Sequence, residues 1–264
     1  MKKTRLDALL VERGLLESRE RAKAVIMSGS VFVAGKRMDK PGVQVESNAE
    51  IEVRSLPEYV SRGGLKLEKA IKYFELSPEG KVCIDIGSST GGFTDCLLKN
   101  GAKMVYAFDV GYGQLAWKIR SDPRVITMER TNIRYATPEM FANKPQIATI
   151  DVSFISLKLV LPVVKTLIKN DGEVICLIKP QFEAGREKVG KKGVVRDSAI
   201  HLEVLETFVF NAKASTFSIR GITYSPVRGP EGNIEYLAWL DRQGEDSSFS
   251  LETIVTQAHE VLGQ

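Results

Sequence analysis

Histidine is nearly absent. The 264 residues contain two, His201 and His259, so proton transfer and metal chemistry must rest mainly on other side chains. A large share of hydrolase designs is excluded, and no metal is expected. Cysteine is scarce too: Cys83, Cys96 and Cys176 are odd in number, form no CxxC pair and fall inside apolar patterns. That excludes a disulfide framework and a zinc site and suits core residues of a cytosolic protein. No apolar run approaches the roughly 20 residues of a membrane-spanning helix. Met1-Lys2-Lys3 is not followed by an apolar signal core, so a soluble, cytoplasmic protein without membrane partners is expected. With 43% hydrophobic and 27% charged residues, the chain can bury one large core or two unequal ones, and collagen, coiled coil and disordered tail are excluded.

The positive charge is concentrated. Residues 1–40 hold ten Lys/Arg against five Asp/Glu, and residues 179–196 hold six against two, although the formal net charge of the whole is only +4. Such clustering is expected of a protein that docks on a polyanion.

The first of these stretches reads as a small module. Leu6, Leu9 and Leu10 at helical spacing, stopped at Gly14, predict one short helix. Ser18 as N-cap, with Ala22, Val25 and Ile26 on one face and Gly29 beyond, predicts a second. Thereafter the period becomes two, at Val31 and Val33, Val43 and Val45, Ile51 and Val53, predicting a small sheet. Arg19, Arg21, Lys23, Lys36 and Arg37 are mostly off the apolar positions and free to meet phosphates, and Arg5 and Arg62 join them as candidate RNA contacts. The run RLDALLVERGLLESRERAKAVIMSGSVFVAGKR, followed by KPGVQV and IEV, resembles an S4 RNA-binding domain. That resemblance implies structured RNA as partner without naming a reaction. We place this domain at residues 1–54, a linker carrying Pro57 at 55–62, and a second domain at 63–264.

From Lys81 the pattern becomes short, nearly continuous apolar strands separated by helical segments, as in a parallel sheet covered on both faces. The strands VCIDI, MVYAFD, QIATID and EVICLIK each carry a charged residue at or next to the end: Asp85, Asp109, Asp151 and Lys179. Ligands of doubly wound sheets bind beyond the carboxyl ends of the strands, so these four charges form a plausible site together.

Between the first two strands lies Gly87-Ser88-Ser89-Thr90-Gly91-Gly92, a turn that lets a ligand approach the backbone closely. It is not GxGxxG, because the third position is Ser89, and no P-loop lysine follows. Asp85 precedes the turn and Asp109 stands 24 residues later, suited to hydrogen-bonding ribose hydroxyls. The combination fits S-adenosylmethionine, with Asp85 near its methionine end or an ordered water, Gly87 and Gly91 beneath it, and Asp109 on the ribose; Gly92 is a further candidate cofactor residue. A second set comprises Asp151 and Lys179, with Lys66 on the helix begun by SRGGLKLEKAIKYF; near the end of the chain come a Gly-Pro-Glu-Gly-Asn turn and Glu235. Leu67, Ala70, Ile71 and Phe74 are the apolar face of that helix, with Lys66 and Lys69 to the side. Tyr236 to Leu240 reads as the final strand.

The motifs YVSRGGLKL, DIGSSTGGFTD, DVGYGQLAWKIR, ERTNIR, DVSFISL, IKPQFEAGR, KGVVRD and GPEGNIEY span nearly every residue to about Leu240. Together they resemble the TlyA family, also labelled haemolysin A, which joins an S4 domain to an FtsJ-like ribosomal RNA methyltransferase domain. The resemblance implies a Rossmann-like α/β domain with a mostly parallel central sheet, preceded by a small α+β S4 domain. It implies a K-D-K-E tetrad on Lys66, Asp151, Lys179 and Glu235, and cofactor contacts on Asp85, Gly87, Ser89, Gly91, Asp109 and Asn132. The activity it implies is methyl transfer from S-adenosylmethionine to a ribose 2'-hydroxyl, of cytidine in ribosomal RNA or ribosomal subunits. Lys179 would deprotonate the hydroxyl, Asp151 and Glu235 would orient the lysines, and Lys66 would tune Lys179 or steady the oxyanion. The rival readings are an RNA-binding protein with an inactive second domain, and a membrane-active haemolysin.

Overall fold

The computed structural model describes residues 3–54, 58–190 and 192–263, and the chain divides into two compact units, Met1–Arg62 and Gly63–Gln264. Part of the expected linker, residues 55–57 with Pro57, lies outside the described residues.

In the first unit, β1 (Lys3–Arg5) leads into α1 (Leu6–Glu12), followed by α2 (Arg19–Met27), β2 (Val31–Val33), β3 (Lys36–Met38), β4 (Gln44–Glu46) and β5 (Ile51–Val53). Ser18 caps α2 by accepting the Arg21 N–H. Leu6, Leu9, Leu10, Ala22, Val25, Ile26 and Val31 close a small core. The expected single sheet is two: β2 pairs with β3 and β5, whereas β4 pairs antiparallel with β1, whose Lys-Thr-Arg sequence carries no apolar alternation.

The second unit opens with α3 (Gly63–Phe74) and continues through β6 (Val82–Ile86), α4 (Gly92–Lys99), β7 (Met104–Phe108), α5 (Trp117–Arg120) and β8 (Val125–Met128). Then follow β9 (Ile147–Ile150), α6 (Leu157–Leu167), β10 (Glu173–Ile178), the short α7 (Pro180–Glu183), α8 (Ser198–Ala214), β11 (Ser218–Tyr224), β12 (Tyr236–Asp241) and α9 (Leu251–Leu262). The seven-stranded sheet has the order β11-β12-β10-β9-β6-β7-β8. The five strands from β10 to β8 run parallel; β12 is antiparallel to β10, and β11, antiparallel to β12, runs in the direction of the other five. Strands buried on both faces explain the continuous apolar runs.

Alternation along β6 decides what each residue does. Ile84 and Ile86 join the core filled by Leu157, Val160 and Leu161 of α6 and by Leu205 and Phe208 of α8. Cys83 and Asp85 turn the other way, where Asp85 meets Thr94 of α4. The order reverses beside β6, with β7 on one side and β9 on the other, so a crevice opens at the carboxyl ends of these strands.

Candidate active site

Three loops meet at that edge. The turn after β6 is forced into unusual backbone angles: Gly87 has φ +86°, Ser89 φ +47° and Gly91, the residue before α4, φ +94°. A Cβ on Gly87 would lie 2.4 Å from the Asp151 carbonyl oxygen, so only glycine lets this loop pack against the end of β9. Ser89 carries a side chain in the left-handed region, a strain that clusters at ligand sites. Gly92, the first residue of α4, is buried.

Asp109, directly after β7, is half-buried and aimed at this loop. Its Oδ2 accepts the Ser89 N–H at 2.8 Å and its Oδ1 the Gly111 N–H at 2.6 Å. Each carboxylate oxygen keeps a further lone pair, so the group can still receive two hydroxyls. Asn132 is half-buried and uses its side chain to cap a short 3₁₀ turn, accepting from the Arg134 N–H.

Asp85 lies inside the protein and not on the edge where the strand-end charges were expected to gather. It has no exposed surface, and its oxygens accept from the Thr94 hydroxyl at 2.6 Å and the Thr149 hydroxyl at 3.1 Å. Burial pushes its carboxyl up to about 7, against the opposing pull of those hydroxyls. The second-last residue of a fully buried strand is still inside the protein, which is why its charge does not reach the edge as Asp109 and Asp151 do.

The second set forms two ion pairs. Lys179, directly after β10 and 8% exposed, places Nζ 2.6 Å from Asp151 Oδ1 and 3.1 Å from Ser153 Oγ. Lys66 Nζ lies 2.5 Å from Oε2 of Glu235, itself 1% exposed. Lys66 was expected to the side of α3 and is instead 7% exposed: the carboxylate of Glu235, brought by the strand next to β10, makes its burial tolerable. Gly229 is the close neighbour of that carboxylate, since a Cβ there would stand 2.6 Å from Glu235 Oε1. Burial lowers Lys69 to about 8, and its ammonium sits 3.5 Å from the Tyr224 ring centre.

Some residues around the lysines escaped sequence reading. Gln181 donates from Nε2 to Glu235 Oε1 at 3.4 Å, tying the Lys66–Glu235 pair to the segment that follows Lys179. Glu183 holds α7 against α6 by accepting from the Ser156 hydroxyl at 2.7 Å and the Leu157 N–H at 2.8 Å, and burial raises its carboxyl. Phe154 is 91% exposed at φ +63°, with its ring 4.9 Å from that of Phe182. The only signal for these was their membership of DVSFISL and IKPQFEAGR.

Of the expected RNA contacts, Arg5 and Arg19 are not free. Both bind the fully buried Asp7, at 3.0 and 3.1 Å, and the Arg5 hydrogen bonds lead in holding that carboxyl below the usual range. Arg21 is half-buried, while Lys23, Lys36, Arg37 and Arg62 are exposed. Among the described residues, no helix is long and apolar enough to cross a membrane.

A parallel sheet reversing its order beside a glycine turn, with a carboxylate at the end of the next strand, defines a Rossmann-like nucleotide-cofactor domain. The FtsJ-like methyltransferase family matches residues 59–242, and the S4 domain matches residues 4–51. The chain is 53% identical to YqxC of Bacillus subtilis, which carries a provisional rRNA methyltransferase label, over 99% of this chain and 96% of that protein. It is 40% identical to the 16S/23S rRNA (cytidine-2'-O)-methyltransferase TlyA of Mycobacterium tuberculosis, over 100% and 98% of the two chains. A solved Streptococcus thermophilus structure with a provisional hemolysin label is 48% identical over 100% of this chain and 98% of that one, with a TM-score of 0.80. The chain therefore belongs to the TlyA family, in which an S4 domain precedes an FtsJ-like methyltransferase domain.

Proposed function

We propose that the protein transfers a methyl group from S-adenosylmethionine to a ribose 2'-hydroxyl of ribosomal RNA, at cytidine, in the cytoplasm where ribosomes are assembled. The observation that carries this reading is the pair of buried lysine–carboxylate contacts at the same sheet edge as the glycine turn and Asp109.

The site suits the cofactor. Gly87 and Gly91 pack so closely against the end of β9 and against Leu115 and Ile119 that neither tolerates a side chain, and Asp109 offers lone pairs to ribose hydroxyls while fixing Ser89. Asn132 lies beyond β8 on the same side as a further polar contact. Asp85 acts from beneath, by holding Thr94 and Thr149, and touches no ligand directly. S-adenosylmethionine held there supplies a methyl group activated by its sulfonium.

The chain's own work is to position the 2'-hydroxyl and take its proton. Lys179 Nζ donates to Asp151 and Ser153, so accepting the hydroxyl proton requires that Nζ hand one of its own to Asp151, 2.6 Å away. In this reading the two residues act as one acid–base unit, with Asp151 both orienting Lys179 and taking its proton. Glu235 offsets the Lys66 charge, and the pair fixes Gln181 and the start of α7 next to Lys179. The exposed Phe154 ring offers a stacking surface for an unpaired base, the usual way proteins hold single RNA bases. Methyl incorporation from labelled S-adenosylmethionine into ribosomal RNA, mapped to the 2'-oxygen, tests this reading.

A further inference from the structure

Beyond Lys179 itself, the second basic stretch has no part in the acid–base chemistry just described, yet its later residues line a cavity. Lys188, Gly190, Lys192, Val194, Arg196, Asp197 and Ile200 line a concavity of about 410 Å³. Lys188 is paired with Glu203, and Asp197 spends its Oδ1 on the Ala199 N–H at the start of α8. Lys192 and Arg196 are exposed and have no ion-pair partner among the described residues. Lys191 lies outside them.

The wall that carries Arg196 is not a loose loop. Asn233, 1% exposed, accepts the Val195 N–H at 2.9 Å and donates to the Gly193 carbonyl at 2.8 Å. The Val195 carbonyl is held by His201 Nε2 at 3.0 Å, and the Gly190 N–H donates to the Val194 carbonyl at 3.2 Å. Val195 is therefore clamped through both of its backbone groups. Asn233 stands two residues before Glu235, so the cationic wall and the Lys66–Glu235 pair hang on one short piece of chain.

We propose that this cavity seats a phosphodiester of the substrate RNA strand flanking the target nucleotide, with Lys192 and Arg196 as its contacts and Asn233 as the brace that fixes its distance from Glu235. The idea rests on the reading of the protein as an RNA methyltransferase. Two unpaired cations on a rigid wall suit a divided backbone charge, and a clamped wall converts docking into register, which a mobile basic tail cannot do. Lys192 and Arg196 are positioning residues in this scheme.

The test uses the full chain, as wild type, as Lys192→Gln/Arg196→Gln, and as the charge-preserving Lys192→Arg/Arg196→Lys. Binding of deproteinised ribosomal RNA is followed over a salt series, beside kcat and KM for methyl transfer and calorimetric titration with S-adenosylmethionine. The neutral variant should bind RNA at least about tenfold more weakly at low salt, with a log K against log[salt] slope shallower by roughly one to two. KM for RNA should rise while kcat and cofactor affinity stay within about threefold, because a docking contact made equally in ground and transition states moves KM alone. The charge-preserving variant should keep most of the affinity. An unchanged affinity and slope in the neutral variant overturns the proposal even if the wild type methylates RNA. A wild type that methylates no RNA, yet binds it with a salt slope that depends on Lys192 and Arg196, supports the pocket and sinks the methyltransferase reading instead. Inorganic phosphate at fixed ionic strength should not compete; displacement of RNA by phosphate as effective as that by an RNA oligonucleotide makes the cavity a free-phosphate site and overturns the proposal.

Discussion

Lys66 and Glu235, 169 residues apart in the chain, meet at 2.5 Å with almost no exposed surface. Breaking such a pair from one side leaves a buried charge without a partner, which costs about 3–5 kcal/mol, whereas replacing both partners by apolar residues is often neutral. Glu235→Gln should therefore lower stability by about 3 kcal/mol, less whatever Gln181 and the new amide recover. Lys66→Met/Glu235→Leu should recover most of that stability while methyl transfer stays low. Denaturant titration of the three proteins checks the first part and transfer assays the second; a double variant with restored activity would show that the pair is structural only.

Asp109 holds the glycine turn through the Ser89 N–H and is the proposed ribose contact. Asp109→Ala removes its proposed bonds to the ribose and the support of the Ser89 and Gly111 N–H groups. Binding of S-adenosylmethionine should weaken by roughly 1.5–3 kcal/mol, the range for hydrogen bonds to a charged group. Asp109→Asn, which keeps one acceptor, should fall between. A folded Ala variant that titrates like the parent rules out the ribose contact.

Asp85 makes a pH prediction. Its carboxyl moves from an ordinary 3.8 to about 7 on folding, so between those values the folded chain holds a proton that the unfolded chain has released. The contribution is fully present below about 4 and is lost as pH rises through about 7, at a limiting slope of about 1.4 kcal/mol per pH unit. Compared with Asp85→Asn, which does not titrate, the wild type should lose relative stability as pH rises from 5 to 7. Parallel stability curves for the two proteins in that range would contradict the burial of an acid at this point.

Lys23, Lys36 and Arg37 are exposed cations of the S4 unit. Their triple Gln variant, in the full chain, should bind ribosomal RNA more weakly and with a salt slope reduced by roughly two to three, about one per lost phosphate contact. Arg5→Gln and Arg19→Gln should act differently, because each removes a partner of the buried Asp7. Their main effect should be lower stability, seen in denaturant titration.

Much of the sheet was legible because burial on both faces writes itself as continuous apolar runs: VCIDI is β6 residue for residue, and EVICLIK overshoots β10 by only Lys179. The strands not foreseen carry weaker signals. The seven residues of β11 are interrupted by Arg220 and Gly221 at a bulge, and β8 is only four residues long and largely half-buried. Asp109, Asp151 and Lys179 were readable at the site because each follows a strand directly. The Lys66–Glu235 contact was not, since no local periodicity encodes a meeting of α3 with the turn before β12; only family resemblance put the two residues in one set. The burial of Asp85 was missed because a charge one residue before a strand end reads like a charge beyond it.

The most direct test of the central claim is methyl transfer from labelled S-adenosylmethionine to deproteinised ribosomal RNA and to ribosomal subunits, with nuclease mapping of 2'-O-methylated positions. It is run for the wild type, Lys179→Ala, Lys179→Arg and Asp151→Asn. Label should appear on a ribose 2'-oxygen, with losses of about 100-fold or more in every variant while cofactor and RNA binding stay within a few-fold. Lys179→Arg should fail with the others because a guanidinium stays charged and cannot take the proton, and Lys179→Ala/Asp151→Asn should be little worse than either change alone, as for residues acting as a unit. Label on a base, or substantial transfer by the Arg variant, would contradict the central claim.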